Sequence, residues 1–182
     1  MLWLLVLALV LLIIIWAIAA YNKFVRYQEN ISNAMSQISA QVESRWDALS
    51  NLMTATQNYQ TYESQTLTKI IEERSSVSNQ ASVKDITQDD QQFNSALGVI
   101  SALAEQYPDL KASNVYLQTM QSVDKYENQV RQSRMIYNDT VTRFNRSIKT
   151  FPNSLIAGPF NFNEHPYFQN TPGKKEMPQW SK

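Results

Sequence analysis

Past residue 24 the apolar positions fall at Ile31, Met35, Ile38, Val42, Leu49 and Leu52, then Tyr59, in steps that alternate between four and three. A period of 3.5 marks a heptad seam, a helix that keeps one narrow face toward a partner helix. Two positions of the same register, Arg45 and Thr56, are polar. No helix-breaking signal follows until the polar stretch after Val77, so Tyr21 to Arg74 is expected to form one rod of about 80 Å. Ser75 to Asp90 reads as a connection, with Thr87 as the cap of the next helix and Asp90 favouring its positive end. Phe93, Leu97, Ile100, Leu103 and Tyr107 then make a second stripe, which Pro108 stops by forcing its predecessor out of the helical region. Ser113 or Asn114 is the candidate cap of a third element. There Tyr116, Met120, Val123, Glu127, Val130, Arg134, Tyr137, Val141, Phe144, Ile148 and Phe151 keep the four-three rhythm until Pro152 closes it. The pattern predicts an all-α chain whose long helices form an antiparallel up-down bundle of three to four helices.

Ahead of the seam, Leu2 to Ala20 is an unbroken apolar run. As a helix it covers about 28 Å, close to the ~30 Å hydrocarbon core of a bilayer. Trp3, Trp16 and Tyr21 stand near its ends, where amphipathic rings favour the interface. A cleaved signal peptide is the rival, through the Ala17-Ile18-Ala19 match, but such peptides have a basic start and a shorter apolar run. Lys23 and Arg26 follow the run and no basic side chain precedes it. The positive-inside rule therefore places the bulk of the chain in the cytoplasm, as a single-pass protein of the cell (inner, cytoplasmic) membrane. The extracytoplasmic orientation is the alternative. Nothing between this run and the seam would break the backbone, so the membrane helix is expected to continue into the bundle. Three regions result: an anchor over 1–21, a helical bundle over 22–151 and a tail over 152–182.

Composition narrows the chemistry. The 16 basic and 16 acidic residues cancel and are spread along the chain, which argues against nucleic acid, whose phosphates need a basic face. There is no cysteine and one histidine, His165, so thiolate or histidine-based metal and acid–base sites are not expected. No Gly-rich phosphate loop, nucleophile–His pair or H-x-x-x-H motif occurs. No cofactor and no small-molecule substrate is expected.

Arg45, Glu127 and Arg134 sit where core residues belong. Either their stems lie along the seam with the heads in water, or Glu127 pairs across helices with Arg45, Arg134 or both and fixes register. A charged pocket for a ligand is the third possibility. The tail differs again: five of the six prolines lie in it, with Phe160, Phe162, Tyr167, Phe168 and Trp180 between them. Such spacing predicts an extended strap that lays aromatics into bundle grooves from Pro152 to Phe168, with disorder beyond Asn170. The same aromatics are also candidates for contact with a partner or a membrane surface.

Taken in order, several fragments resemble the LemA family of membrane-anchored helical proteins. They are Tyr21-Asn22-Lys23-Phe24-Val25, Asn33-Ala34-Met35-Ser36-Gln37-Ile38, Arg45-Trp46-Asp47-Ala48-Leu49-Ser50-Asn51-Leu52 and Tyr107-Pro108-Asp109-Leu110-Lys111-Ala112. Glu127-Asn128, Arg134, Tyr137-Asn138-Asp139, Phe144-Asn145 and Phe151-Pro152 complete the series. Ser50 stands where the family usually has Pro, Asn58 where it has Gly and Tyr62 where it has His; all three changes permit continuous helix. The resemblance implies a single-pass anchor, a cytoplasmic helical domain and a role not defined by a reaction. It also implies an association with envelope-stress and membrane-protease neighbourhoods and, in one branch, with magnetosome membranes.

These observations point to a non-catalytic scaffold or adaptor rather than an enzyme, with the lipid bilayer and either itself or another membrane protein as partners. A sensor that binds a ligand at the Arg45, Glu127 and Arg134 cluster is the alternative of a different class.

Overall fold

The computed structural model describes residues 1–56 and 81–169. Helix α1 runs unbroken over Leu2–Thr56, about 82 Å at 1.5 Å per residue. No Gly or Pro interrupts it, and Ser50, where the family usually has Pro, passes through it as helix. Residues 2–15 are exposed all round, long and apolar enough to cross a membrane. Burial begins at Ala20 and Phe24 and continues through Ile31, Met35, Ile38, Val42, Leu49 and Leu52. The expectations for Tyr59, Arg74 and Asn170 onward fall outside the described residues.

The buried face of α1 is wider than the heptad seam. Ala34, Ser39 and Trp46 are also buried, because α1 meets two helices and a two-partner stripe must exceed the a/d pair. The larger partner is α4 (Asn114–Lys149). Phe24 lies beside Phe144 while Arg45 meets Glu127, so positions rise along one helix as they fall along the other, and the pair is antiparallel.

Helix α2 (Val83–Gln106) starts earlier than the sequence suggested. Its cap is Ser82, whose hydroxyl accepts from the Asp85 N–H at 3.3 Å while the Asp85 carboxylate accepts from the Ser82 N–H at 2.8 Å. This reciprocal box satisfies the free donors of the first turn, and it displaces Thr87, whose hydroxyl donates to the Val83 carbonyl inside the helix. The stretch from Val83 to Asp90 is thus helix and not connection. Along α2 the core takes Ile86, Asp89, Phe93, Ala96, Ile100 and Ala104, with Leu97 and Leu103 at its edge. The stripe is turned slightly from the one expected, with Ala96 and Ala104 at buried positions.

Tyr107 ends α2 and Pro108 opens the single turn α3 (Pro108–Lys111), where its missing N–H costs nothing. Ser113 then caps α4 by accepting from the Tyr116 N–H at 3.2 Å. Asp90 of α2 meets Arg134 of α4, and the two helices are joined at the far end by this short connection. They are therefore antiparallel, and α1 and α2 run in the same direction against α4. At its other end α4 is closed by Thr150 in extended conformation. The register stops there, and Phe151, expected as the last seam residue, is 81% exposed.

The tail is not wholly extended. Between Pro152 and Pro159 there is room for one turn of helix, α5 (Ser154–Ala157), which packs on α1 and α4 and buries Ala157. Asn161, at φ 56°, takes the left-handed turn that Asn tolerates, and the chain then runs back along α4 without regular structure to Gln169.

Gly98 sits in the middle of α2, exposed, and a Cβ there would meet nothing within 4 Å. Gly98→Ala should therefore stabilise by about 0.5–1 kcal/mol through helix propensity alone. A melting temperature that is unchanged or lower than that of the parent protein would contradict this placement.

Candidate functional site

Two polar assemblies are built on the bundle. In the first, α1 drives Arg45 into the core, 1% exposed. Its Nη1 donates to Glu127 Oε1 at 2.6 Å, and its Nη2 donates to Asp89 Oδ2 and Asp90 Oδ1, both at 2.8 Å. The guanidinium also stacks on the Phe93 ring, 4.3 Å from its centroid. Asp89, equally buried, accepts a second bond from the Trp46 indole N–H at 2.9 Å. Arg134 donates to Asp90 and lies over the Phe168 ring. Burial pushes the Arg45 pKa down, but the Asp89 hydrogen bond and the charges of Glu127 and Asp90 outweigh it and the net shift is upward. Arg45 is held as a cation.

Of the residues singled out from sequence, Arg45 and Glu127 are brought together, while Arg134 meets Asp90 and not Glu127. Asp89 and Trp46 were not anticipated, and Asp90, expected to favour the start of a helix, lies two turns inside α2 and pairs with Arg45 and Arg134. The i, i+1 pair of carboxylates lay in a stretch read as a connection, and Trp46 falls outside a strict heptad. The capping signal Ser82-x-x-Asp85 could have revealed the two carboxylates, since it starts the helix early and turns Asp89 inward. Among the described residues no three His, Asp or Glu side chains form a group able to hold a metal ion.

The second assembly fastens the strap. Asn138 and Asn145, one heptad apart on α4, each grip one strap residue with both ends of the amide. Asn145 donates to the His165 carbonyl at 2.9 Å and accepts from its N–H at 3.0 Å. Asn138 does the same to Phe168, both at 2.9 Å, and the Tyr137 hydroxyl donates to the Pro166 carbonyl. These bonds meet backbone groups that have no ladder of their own. Phe168 also packs edge-on to Tyr137, and Phe162, ahead of both grips, wedges among Tyr21, Phe24 and Phe144. Phe160 touches Tyr21 yet stays 57% exposed, and Tyr167 is 43% exposed.

At the boundary of the apolar run, Trp3 is exposed and Trp16 half-buried. Tyr21 is covered on one side by the strap rings, Lys23 lies 5.8 Å from the centre of the Tyr27 ring, and Arg26 is exposed.

An apolar run that passes without a break into an antiparallel bundle, closed by a clamped strap, defines an all-α protein with, among the described residues, one helix long and apolar enough for a membrane. The chain belongs to the LemA family, whose pattern it matches over residues 34–181. It is 34% identical over 137 residues to Protein LemA of Metamycoplasma hominis, a match covering 75% of this chain and 63% of that protein. The chain thus spans less than two thirds of the length of that relative. It is also similar to the magnetosome proteins MamQ 1 and MamQ 2 of Paramagnetospirillum magneticum, at 31% identity over 80 residues, 44% of this chain and 29% of each of those.

Two tests follow from these assemblies. Arg45→Met leaves Asp89 buried without its cation and should cost about 3–5 kcal/mol. Combined with Asp89→Leu it should cost clearly less than the sum of the two single losses, measured by chemical denaturation of the full chain in detergent. Additive losses would rule out the pairing. The second test concerns His165, whose ring packs on Phe144 and whose pKa burial lowers from the usual 6.5. The unfolded chain then binds more protons than the folded one, so this contribution is complete above 6.5 and is lost as pH falls toward the lowered value. Strap amide protection, corrected for intrinsic exchange, should weaken between about pH 7.5 and about pH 5, and His165→Gln should remove the pH dependence.

Proposed function

We propose that this protein is a non-catalytic scaffold or adaptor, anchored in the cell membrane by residues 1–21 and presenting its bundle at the cytoplasmic face. The observation that carries this reading is the continuity of α1, which is helix from Leu2 to Thr56 with no linker between apolar run and core. A domain mounted on its anchor in this way holds a fixed attitude to the membrane, as a platform requires. The bundle also exposes Met135 and Ile136 on α4, 66% and 54% accessible, as an apolar spot for a second copy or another membrane protein. The names of the MamQ relatives, which tie those proteins to the magnetosome, fit an architectural role. The charge cluster supports the same reading over a ligand sensor, because its arginines are engaged by Asp89, Asp90 and Glu127.

The absence of cysteine allows a clean test. A single cysteine placed at Asp124, which is exposed, should react with a membrane-impermeant maleimide only after the cells are opened. Labelling in intact cells would reverse the orientation. A photo-reactive residue at Met135 should give a discrete cross-linked species in the membrane, lost in Ile136→Asp at unchanged melting temperature. Monomer alone under both conditions would remove the scaffold reading.

A further inference from the structure

The part of α1 just past the apolar run and the last turns of α4 enclose an open groove of about 270 Å³ lined by Lys23, Tyr27, Arg143, Arg146, Thr150 and Asn153, among others. Among the described residues no carboxylate lines it, and Lys23, Arg143 and Arg146 make no ion pair there. The nearby Lys149 is different, being paired to Glu164 at 2.7 Å. Three unneutralised cations around hydroxyl and amide donors form a receptor for a phosphate oxyanion.

The position of the groove says which phosphate. Phe144 lies beside Phe24, and the helices are antiparallel, so Ile148 is about level with Ala20 and Phe151 about level with Ala17. That is inside the apolar run. Trp16 and Ala17 are half-buried where residues 2–15 are exposed, and α5 packs on α1. Phe151 and Leu155, 81% and 61% exposed, flank the polar groove residues Thr150 and Asn153 on its membrane side. A cationic groove with an apolar rim one turn below it matches a lipid, headgroup above and chains below.

We propose that this groove binds the phosphate of an anionic phospholipid, with Phe151 and Leu155 lying against its acyl chains. The inference rests on residues 2–21 being a membrane span. The lipid supports the end of α4 where the helix reaches the level of the apolar run and turns into the strap.

The test uses the full chain in a neutral detergent, titrated with phosphatidylglycerol or phosphatidylcholine and read by native mass spectrometry. One phosphatidylglycerol should be retained about tenfold more tightly than phosphatidylcholine. Arg143→Gln with Arg146→Gln should abolish that preference, while Lys125→Gln with Arg131→Gln, an equal charge change on exposed positions of α4, should leave it intact. Leu155→Asp should weaken retention as well, and Arg146→Gln alone serves if the double variant does not fold. Equal retention of the two lipids, or equal loss in the control pair, overturns the proposal. Displacement by inorganic phosphate at millimolar concentration, with Leu155→Asp without effect, assigns the groove to a free anion and overturns the lipid assignment. Extraction of the chain from membranes by alkaline carbonate would refute the span itself; retention there with no lipid preference refutes the groove alone.

Discussion

A guanidinium buried in a helical bundle must be met by carboxylates, and the geometry of that requirement organises this molecule. Arg45 reaches Asp89 and Asp90 on α2 and Glu127 on α4, so one side chain of α1 ties the level of α2 to that of α4. Apolar seams alone would tolerate a slide of one heptad, since leucine-like surfaces repeat. A slide here would leave Arg45 or Asp89 in the core without its partner, which is costlier than any packing regained. The five groups carry two positive and three negative charges, and the most exposed member is Glu127, at the rim where the surplus charge is hydrated. A buried cluster of this kind disfavours alternative registers more than it adds net stability.

The strap solves a different problem with different chemistry. An irregular segment on a helix has backbone donors and acceptors but no neighbouring strand. Asn138 and Asn145 supply amides that imitate one, each presenting a carbonyl and an N–H to a single residue. Their heptad spacing puts both on the same face of α4, while Phe162, ahead of the grips, fills the seam between Phe24 and Phe144, and Phe168, itself gripped, packs on Tyr137. Cluster and strap are not independent, because Arg134 contacts both Asp90 and the Phe168 ring.

Much of this was legible in the residues. The apolar seam of α1, the apolar run before it, the stop at Pro108 and the cap at Ser113 all follow from local rules with few competitors. Arg45 was visible as a polar intruder on a seam, and Glu127 as a partner. What periodicity did not show was the third helix in the cluster. A 3.5 period describes one contact face, whereas α1 serves two, so Trp46 fell outside the pattern and Asp89 was hidden in a run of polar residues. The asparagine grips were present in the family-like fragments Tyr137-Asn138-Asp139 and Phe144-Asn145, yet an Asn on a helix is ambiguous until the segment it holds is placed. Phe151 failed for a simpler reason: the helix ended two residues before it.

The unbroken length of α1 also gives the molecule a mechanical gain. From Tyr21 to Thr56 the rod extends about 53 Å beyond the apolar run. A tilt of about 20°, ordinary for a single span adjusting to bilayer thickness, would carry the far end sideways by roughly 18 Å. The bundle packs on this rod and moves with it. If the apolar run spans a bilayer, a change of a few ångströms in lipid thickness would be written out as a displacement several times larger at the outer end of the bundle, with α1 as the pointer.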